Sequence, residues 1–461
     1  MSSISRRVFL KTTGGATVAG FAAPALICGL HAESPNERFQ VGFVGTGPQG
    51  RANCRDFSDV SDLVALCDLD ESYGLAPAMK DNKINRSKPI TCSDYRRVLD
   101  RKDIDIVGIA TPDHWHIKIA IEALLAGKHV FCEKPLTLTV DEGRLVRNAV
   151  KKSGKVFQVG TMQRSTELFQ TAVLIVQKGH LGKIKRVICH IDGGLVSPPI
   201  PKAPIPSTLD WNTWLGQAPE AEYIATTEIL ERFGCPLHTR GHHEFRWFFD
   251  YAGGKFTDWG AHHVDVALWA LRQDGAGQGP SKFNPVIAEH PIPLKDGYPT
   301  VHDQYQTASK FQVDCQMDDG IVLEVTSDSP HGNGIFFEGT QGNMHVSRGR
   351  IKGNVYENEK VQNSFTKDDY AAICHGKNLE SDNIMIAHKR NMLACIRDGG
   401  LPMSDVFSNV QGINLCHIAC IATRLGRELT WDPNAERFVN DDYANTFLSR
   451  TQRKGFEIPQ V

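Results

Sequence analysis

The chain has 461 residues, a formal net charge of -2 at neutral pH and 41% apolar residues. That length suits two or three domains with substantial cores. The near-neutral balance, without a long basic run, excludes nucleic acid or an anionic membrane surface as the principal partner, and leaves small molecules.

At the N-terminus, Ser5-Arg6-Arg7-Val8-Phe9-Leu10-Lys11 precedes an acid-free apolar stretch from Thr17 to Leu30. The pattern reads as a twin-arginine export peptide over residues 1–32, removed after Ala32. Its apolar part is too short and too rich in glycine and alanine for a membrane span, so no stable span is expected in the mature chain; an uncleaved anchor is the alternative. Bulky Ile27 before Cys28 argues against lipidation. The expected location is periplasmic or otherwise exported, with the twin-arginine translocase as a partner. That route carries folded proteins, so a cofactor would be loaded beforehand and held tightly. It also implies few disulfides among the 12 cysteines. Cys67, Cys132 and Cys189 sit in apolar strand contexts, and the Cys416/Cys420 pair has no zinc-type histidine partners.

Residues 37–160 alternate strand and helix patterns. A strand from Phe39 to Val44 runs into Gly45-Thr46-Gly47-Pro48-Gln49-Gly50, and the strand Leu63–Cys67 ends at Asp68. This order, strand, glycine turn, helix, strand, acid, is that of a dinucleotide site. Gly45 permits the turn, Gly47 lets backbone approach a pyrophosphate, Gly50 lets the helix pack closely, and the helix N-terminus faces the phosphate charge. Asp68 would accept a hydrogen bond from the adenosine ribose and repel a 2'-phosphate, which favours NAD; Arg51 keeps NADP possible. A strand from Ile104 to Ala110, a helix from Trp115 to Ala126 and strands Val130–Cys132 and Val156–Val159 complete the parallel sheet.

Residues 161–461 have a different texture. A helix near Glu167–Lys178 and a strand Lys185–Ile191 precede a loop rich in proline. Segments Tyr305–Gln316, Gly320–Thr326 and Gly334–Phe337 have β character with glycine turns, which predicts a mainly antiparallel sheet. Helices are expected near Asn383–Arg397 and Val406–Arg424. The predicted fold class is α/β, a Rossmann domain followed by an α/β domain that forms the substrate wall and offers a face for a homo-oligomer.

Three distant residues converge chemically. Glu133-Lys134-Pro135 ends an apolar strand where a nicotinamide would lie. Asp258-Trp259-Gly260-Ala261-His262 opens an apolar helical pattern, and a spacing of four puts Asp258 and His262 on one face. Asp265 could orient the imidazole. Oxidation of an alcohol by hydride loss needs a base for the hydroxyl proton, for which histidine is suited, while Lys134 could polarise the same oxygen. Singly, Lys134 also reads as a surface lysine, Asp258 as a helix cap and His262 as a core histidine; behind a dinucleotide turn they read together as catalytic. Gln163 and Arg164 could reach a polyol or form a domain-crossing bond. Trp259, and less so Trp211 and Trp214, could stack on a sugar. His238, His242, His243, His262 and His263 have no zinc-site spacing, so no metal is expected.

These motifs resemble the Gfo/Idh/MocA family of glucose-fructose oxidoreductases and inositol dehydrogenases. The matching pieces are GTGPQG at 45–50, CDLD at 67–70, TPDHWH at 111–116, AGKHVFCEKP at 126–135 and GGKFTDWGAHHVD at 253–265. The resemblance implies that Lys134 belongs to a catalytic EKP element, that Asp258 and His262 form a DxxxH pair with His262 as acid and base, that Thr111, Pro112 and His116 line the cofactor, and that Glu133 lies near the nicotinamide ribose. It further implies an open sheet in the second domain and a sugar, cyclitol or glycoside substrate. The expected activity is NAD(P)-dependent oxidation of a secondary hydroxyl. The alternatives are a glycosidase or lyase that oxidises transiently and eliminates, and a non-catalytic sugar-binding or partner-binding protein.

Overall fold

In the computed structural model the described residues are 38–375 and 383–461, and Arg38–Val461 forms one compact unit. The export segment read at residues 1–32 lies outside the described residues.

Six short strands, β1 (Gln40–Val44), β2 (Asp62–Cys67), β3 (Ile90–Cys92), β4 (Ile106–Ile109), β5 (His129–Cys132) and β6 (Phe157–Val159), build one sheet in the order β3-β2-β1-β4-β5-β6. Every pairing is parallel. A parallel sheet is covered on both faces, so its strands read as unbroken apolar runs; all four residues of β4 are buried. Strand order reverses between β1 and β4, which opens a crevice at their C-terminal ends. The helix after β4 starts at Asp113, two residues earlier than the apolar pattern predicts, because Pro112 sits at its N-cap with an extended ψ of 152°.

The second sheet has nine strands. It runs from Ile351–Lys352 through Gly342–Val346, Gly334–Gly339, β7 (Ile184–His190), Val322–Thr326, Lys310–Gln316, Lys282–Glu289 and Leu429–Asp432 to Arg437–Phe438. Only β7 with Val322–Thr326 is parallel; the other pairs are antiparallel. Strand Lys310–Gln316 alternates, with Phe311, Val313 and Cys315 inward, as one covered face demands. That cover is the helix pair Gly260–Leu271 and Val406–Leu425. A Cβ added at Gly260 would lie 2.8 Å from Cys416 Sγ, so this glycine permits the close approach of the two helices.

The two sheets are knit together by segments distant in sequence. Helix Ile384–Asp398 contributes Met392 and Leu393 to the first domain's core, beside Phe43, Phe57 and Phe131. The segment around Leu209 returns to the end of β2, where Asp210 N donates to Leu69 O and Glu71 N to Thr208 O, both at 3.2 Å. A separate aromatic cluster, including Trp211, Trp214, Tyr251 and Tyr305, supports this return. All eleven cysteines among the described residues are buried, and none of them is in a disulfide.

Candidate active site

The crevice at β1 and β4 widens into a cavity of about 720 Å³ that runs from the glycine turn to the second domain. Gly45 has φ +86°, and a Cβ there would meet Ala110 O at 2.5 Å; a Cβ on Gly50 would meet Gly45 O at 1.9 Å. Gly47, by contrast, faces the cavity, with nothing nearer than Tyr73 Cε1 at 3.5 Å. Backbone is thus bared where a pyrophosphate would rest on the first turn of helix Pro48–Val60. Thr111 and Pro112 line the same cavity, and Thr111 Oγ1 is buried there without a hydrogen-bond partner. A bare cradle and an orphaned hydroxyl fit a dinucleotide.

Asp68 also lines the cavity, but its first engagement is with the turn itself. Oδ2 accepts from Thr46 N at 2.6 Å and from Thr46 Oγ1 at 3.1 Å, and Oδ1 from Asp70 N at 3.0 Å. Burial raises its pKa. Arg51 Nη1 donates to Thr46 O at 3.0 Å and Tyr73 O at 2.9 Å, so it braces the turn rather than standing free for a phosphate. Glu133 is fixed by Gln49 Nε2 at 3.1 Å and Asn53 Nδ2 at 2.8 Å. Behind Asn53 lies Lys389, fully buried over the Phe131 ring at 4.2 Å, donating to Asn53 Oδ1 at 2.8 Å. Burial lowers the Lys389 pKa to about 8. Sequence reasoning passed over Lys389, which lies in an ordinary amphipathic helix pattern.

Beyond Glu133, Lys134 Nζ lies 2.5 Å from Asp258 Oδ1, and Arg246 Nη1 lies 3.1 Å from Asp258 Oδ2. All three line the cavity. Burial opposes the Asp258 charge, but Lys134 and then Arg246 overcome it and hold the carboxyl well below its ordinary pKa. Asp258 and His262 were expected on one continuous helix. Instead helix Lys255–Asp258 stops at Trp259 and a second begins at Gly260. His262 N donates to Trp259 O at 3.0 Å, which releases the Asp258 carbonyl to accept from Lys134 Nζ at 3.1 Å. The ammonium therefore grips both the carboxylate and the broken helix end.

His262 is 4% exposed and packs against Trp259, with ring centroids 6.2 Å apart; it is not among the cavity-lining residues, and its Nδ1 has no partner. Burial, then the charges of Lys134 and Arg348, push its pKa well below the usual value, so the imidazole is neutral. Asp113, unmarked by the sequence reading, lines the cavity at 6% exposure. Its position one residue beyond the Thr111-Pro112 element was the available signal.

Other expectations change. Arg164 lies away from this cavity, 2% exposed, its guanidinium bidentate on Asp265 at 2.7 and 2.8 Å and on Asp274 at 3.1 Å. Its Nε and Nη2 are committed to these carboxylates and the cavity it borders is a different one, so it does not reach the glycine-turn cavity, and Asp265 holds Arg164 rather than the His262 ring. Gln163 is buried outside the cavity lining, with both amide atoms unpartnered. His116 does not line the cavity either: Nδ1 lies 2.7 Å from Pro135 O and Nε2 3.0 Å from Thr111 O, which pins two cavity loops together. Trp259 does line it, with the Arg348 guanidinium 4.5 Å from its ring. Trp211 and Trp214 stack on each other at 4.6 Å. The five clustered histidines are engaged separately: His238 with Tyr305, His242 with Asp70, His243 with Glu244 and His263 with Asn333, while His262 packs on Trp259.

A parallel sheet with a bared glycine turn, continuous with a charged wall from a second domain, defines a dinucleotide-binding α/β protein. Residues 39–161 match the oxidoreductase family's NAD-binding Rossmann fold and residues 196–458 its C-terminal alpha/beta domain. The chain belongs to the Gfo/Idh/MocA oxidoreductase family, and its first domain is an NAD-binding Rossmann domain. Among curated relatives, a glycosyl hydrolase family 109 protein of Shewanella sp. (strain W3-18-1) is 35% identical over 165 residues, 31% of this chain and 36% of that protein. One from Shewanella baltica (strain OS155 / ATCC BAA-1091) is 34% identical over 178 residues, 34% of this chain and 39% of the relative. The chain thus matches little more than a third of either relative's length. Among solved structures, aldose-aldose oxidoreductase from Caulobacter crescentus, complexed with glycerol, shares the fold at TM-score 0.59 and 17% identity, covering 86% of this chain and 100% of that one. Levoglucosan dehydrogenase in complex with NADH and L-sorbose does so at TM-score 0.58 and 18% identity, covering 86% and 99%.

Proposed function

We propose that this protein moves a hydride between NAD and a secondary hydroxyl of a sugar, cyclitol or glycoside. The observation that carries the reading is the Lys134 ammonium, held 2.5 Å from Asp258 on the wall of the cavity that starts at the glycine turn. The names of two structural neighbours, an aldose-aldose oxidoreductase and a levoglucosan dehydrogenase, support a carbohydrate substrate. Bound NAD would supply the hydride acceptor, cradled by Gly45, Gly47 and Gln49 with Glu133 and Thr111 nearby.

The chain's own residues manage charge and protons. Asp258, kept ionised, holds Lys134 in place, so a fixed positive charge meets the substrate oxygen as alkoxide character develops. His262, kept neutral by burial and by neighbouring cations and set behind Trp259 on the cavity wall, is the base this reading assigns to the hydroxyl proton. Trp259 offers an aromatic surface beside them. Purified protein supplied with NAD and a panel of sugars should change its nicotinamide absorbance with at least one; no response across the panel would sink the reading.

A second reading, glycoside cleavage by transient oxidation, draws on the family 109 relatives, whose similarity covers about a third of this chain. It predicts aglycone release by cofactor-loaded protein with no external acceptor. Export through the twin-arginine pathway, with tight retention of the cofactor, is inferred from Ser5–Lys11 alone. Arg6→Lys with Arg7→Lys should strand the protein in the cytoplasm, as fractionation would read directly.

A further inference from the structure

We propose that Asp113 is a further catalytic acid of this site, giving its proton to a departing glycosidic oxygen; this rests on the second reading above, cleavage by transient oxidation. The residue opens helix Asp113–Leu125, directly after Thr111-Pro112, and its carboxyl lines the cavity at 6% exposure. Among the described residues no side chain hydrogen-bonds to that carboxyl, which accepts from its own backbone N–H, whereas both oxygens of neighbouring Asp258 are taken by Lys134 and Arg246. The charged groups that face Asp113 are Arg246, Asp258 and Lys134, one from each of three separate segments.

One wall therefore holds two carboxyls in opposite states. Burial first, opposed by Arg246 and reinforced by the Asp258 charge, pushes the Asp113 pKa up to about 8. Lys134 and Arg246 are already committed to Asp258, so neither fully neutralises a second anion. A pair of acids whose surroundings drive them apart is the usual basis for dividing acid and base roles.

In the step itself, a sugar already oxidised at one ring carbon has an acidified neighbouring C–H bond. His262, having first passed the hydroxyl proton of the oxidation to water, takes that proton, the C–H electron pair becomes a C=C bond, and the C–O bond to the aglycone breaks with its electron pair remaining on oxygen. The Asp113 O–H proton passes to that oxygen, releasing a neutral alcohol and leaving a carboxylate that Arg246 stabilises. Water then adds across the C=C bond: its oxygen bonds to the carbon that lost the alcohol, its proton returns to Asp113, and the proton on His262 goes back to the neighbouring carbon before the hydride returns to the ketone.

The test compares cofactor-loaded wild type with Asp113→Asn and Asp113→Glu on two glycosides of the same sugar, one alkyl and one nitrophenyl. An alkoxide needs protonation to depart and a nitrophenolate does not. The alkyl-to-nitrophenyl rate ratio should therefore fall about 100-fold in Asp113→Asn and recover partly in Asp113→Glu. Infrared difference spectra of wild type against Asp113→Asn, without substrate, should show a protonated carboxyl at neutral pH that ionises near pH 8. Equal loss on both glycosides, or an ionised Asp113 at neutral pH, would overturn the assignment. Wild type that reduces its cofactor with sugars yet cleaves neither glycoside would instead bring down the second reading, and this acid with it.

Discussion

Two ion-pair clusters flank the helix Gly260–Leu271, and they differ in what is left over. In one, Arg164 is bidentate on Asp265 with both side chains 2% exposed, and Asp274 takes a further N–H. In the other, Lys134 and Asp258 are 18% and 14% exposed, share Arg246 and border a cavity. The first is bidentate and almost wholly buried, so it is harmful to break, and the cavity it borders is a different one, away from the glycine turn. The second keeps an accessible face, so its fixed charges can act on whatever enters. Depth of burial and position beside the glycine-turn crevice, rather than residue type, separate the two pairs.

The contrast can be broken from either side. Removing one partner of the more deeply buried pair should have the largest effect: Arg164→Ala leaves Asp265 buried and unpaired and should cost about 3–5 kcal/mol of stability by denaturant titration, with turnover per folded molecule preserved. Lys134→Ala should do the reverse, reducing kcat about 10²–10³-fold while its melting temperature moves far less than that of Arg164→Ala. Gly50→Ala forces a methyl against Gly45 O; about 1–3 kcal/mol of overpacking strain should appear, with weaker NAD binding by calorimetry. The smallest single effects concern buried histidines. Burial lowers the pKa of His114 and His388 to about 3, and that of His263 and His417 to about 4. Below the unfolded value of about 6.5 the unfolded chain binds more protons, so stability present above that pH is lost as pH falls. Each should contribute on the order of 1 kcal/mol between pH 7.5 and 5.5, seen as a falling urea midpoint; a flat midpoint across that window would contradict these buried, neutral rings.

Much of this architecture was legible from the chain. The glycine turn, the strand before it and the acid after β2 are local patterns with local causes, and the apolar runs of β4 and β5 follow from burial on both faces. Lys134 and Asp258 were also readable as a pair, through motif context. Other features depend on tertiary partners. No local signal tells that Arg164 will find Asp265 about a hundred residues later, or that His116 will be pinned between Pro135 O and Thr111 O. The break at Trp259 was hidden because the apolar periodicity continues through it, while the competing donor to the Asp258 carbonyl comes from Lys134 on another domain. Asp113 was overlooked because a carboxyl after Thr-Pro reads as an ordinary first-turn acid; its largely buried place beside a second, already paired carboxyl exists only once Arg246 and Asp258 arrive.

Eleven thiols outside any disulfide, sealed in the interior, have a practical consequence: the molecule carries its own gauge of breathing. A maleimide in solution can label them only as fast as the surrounding structure opens. Labelling at Cys416 and Cys420, between the second sheet and its covering helices, should lag behind that at Cys374, which caps helix Lys367–Ile373, none of whose residues is buried. Mass spectrometry of partially labelled protein would then rank the parts of the fold by how readily each comes apart.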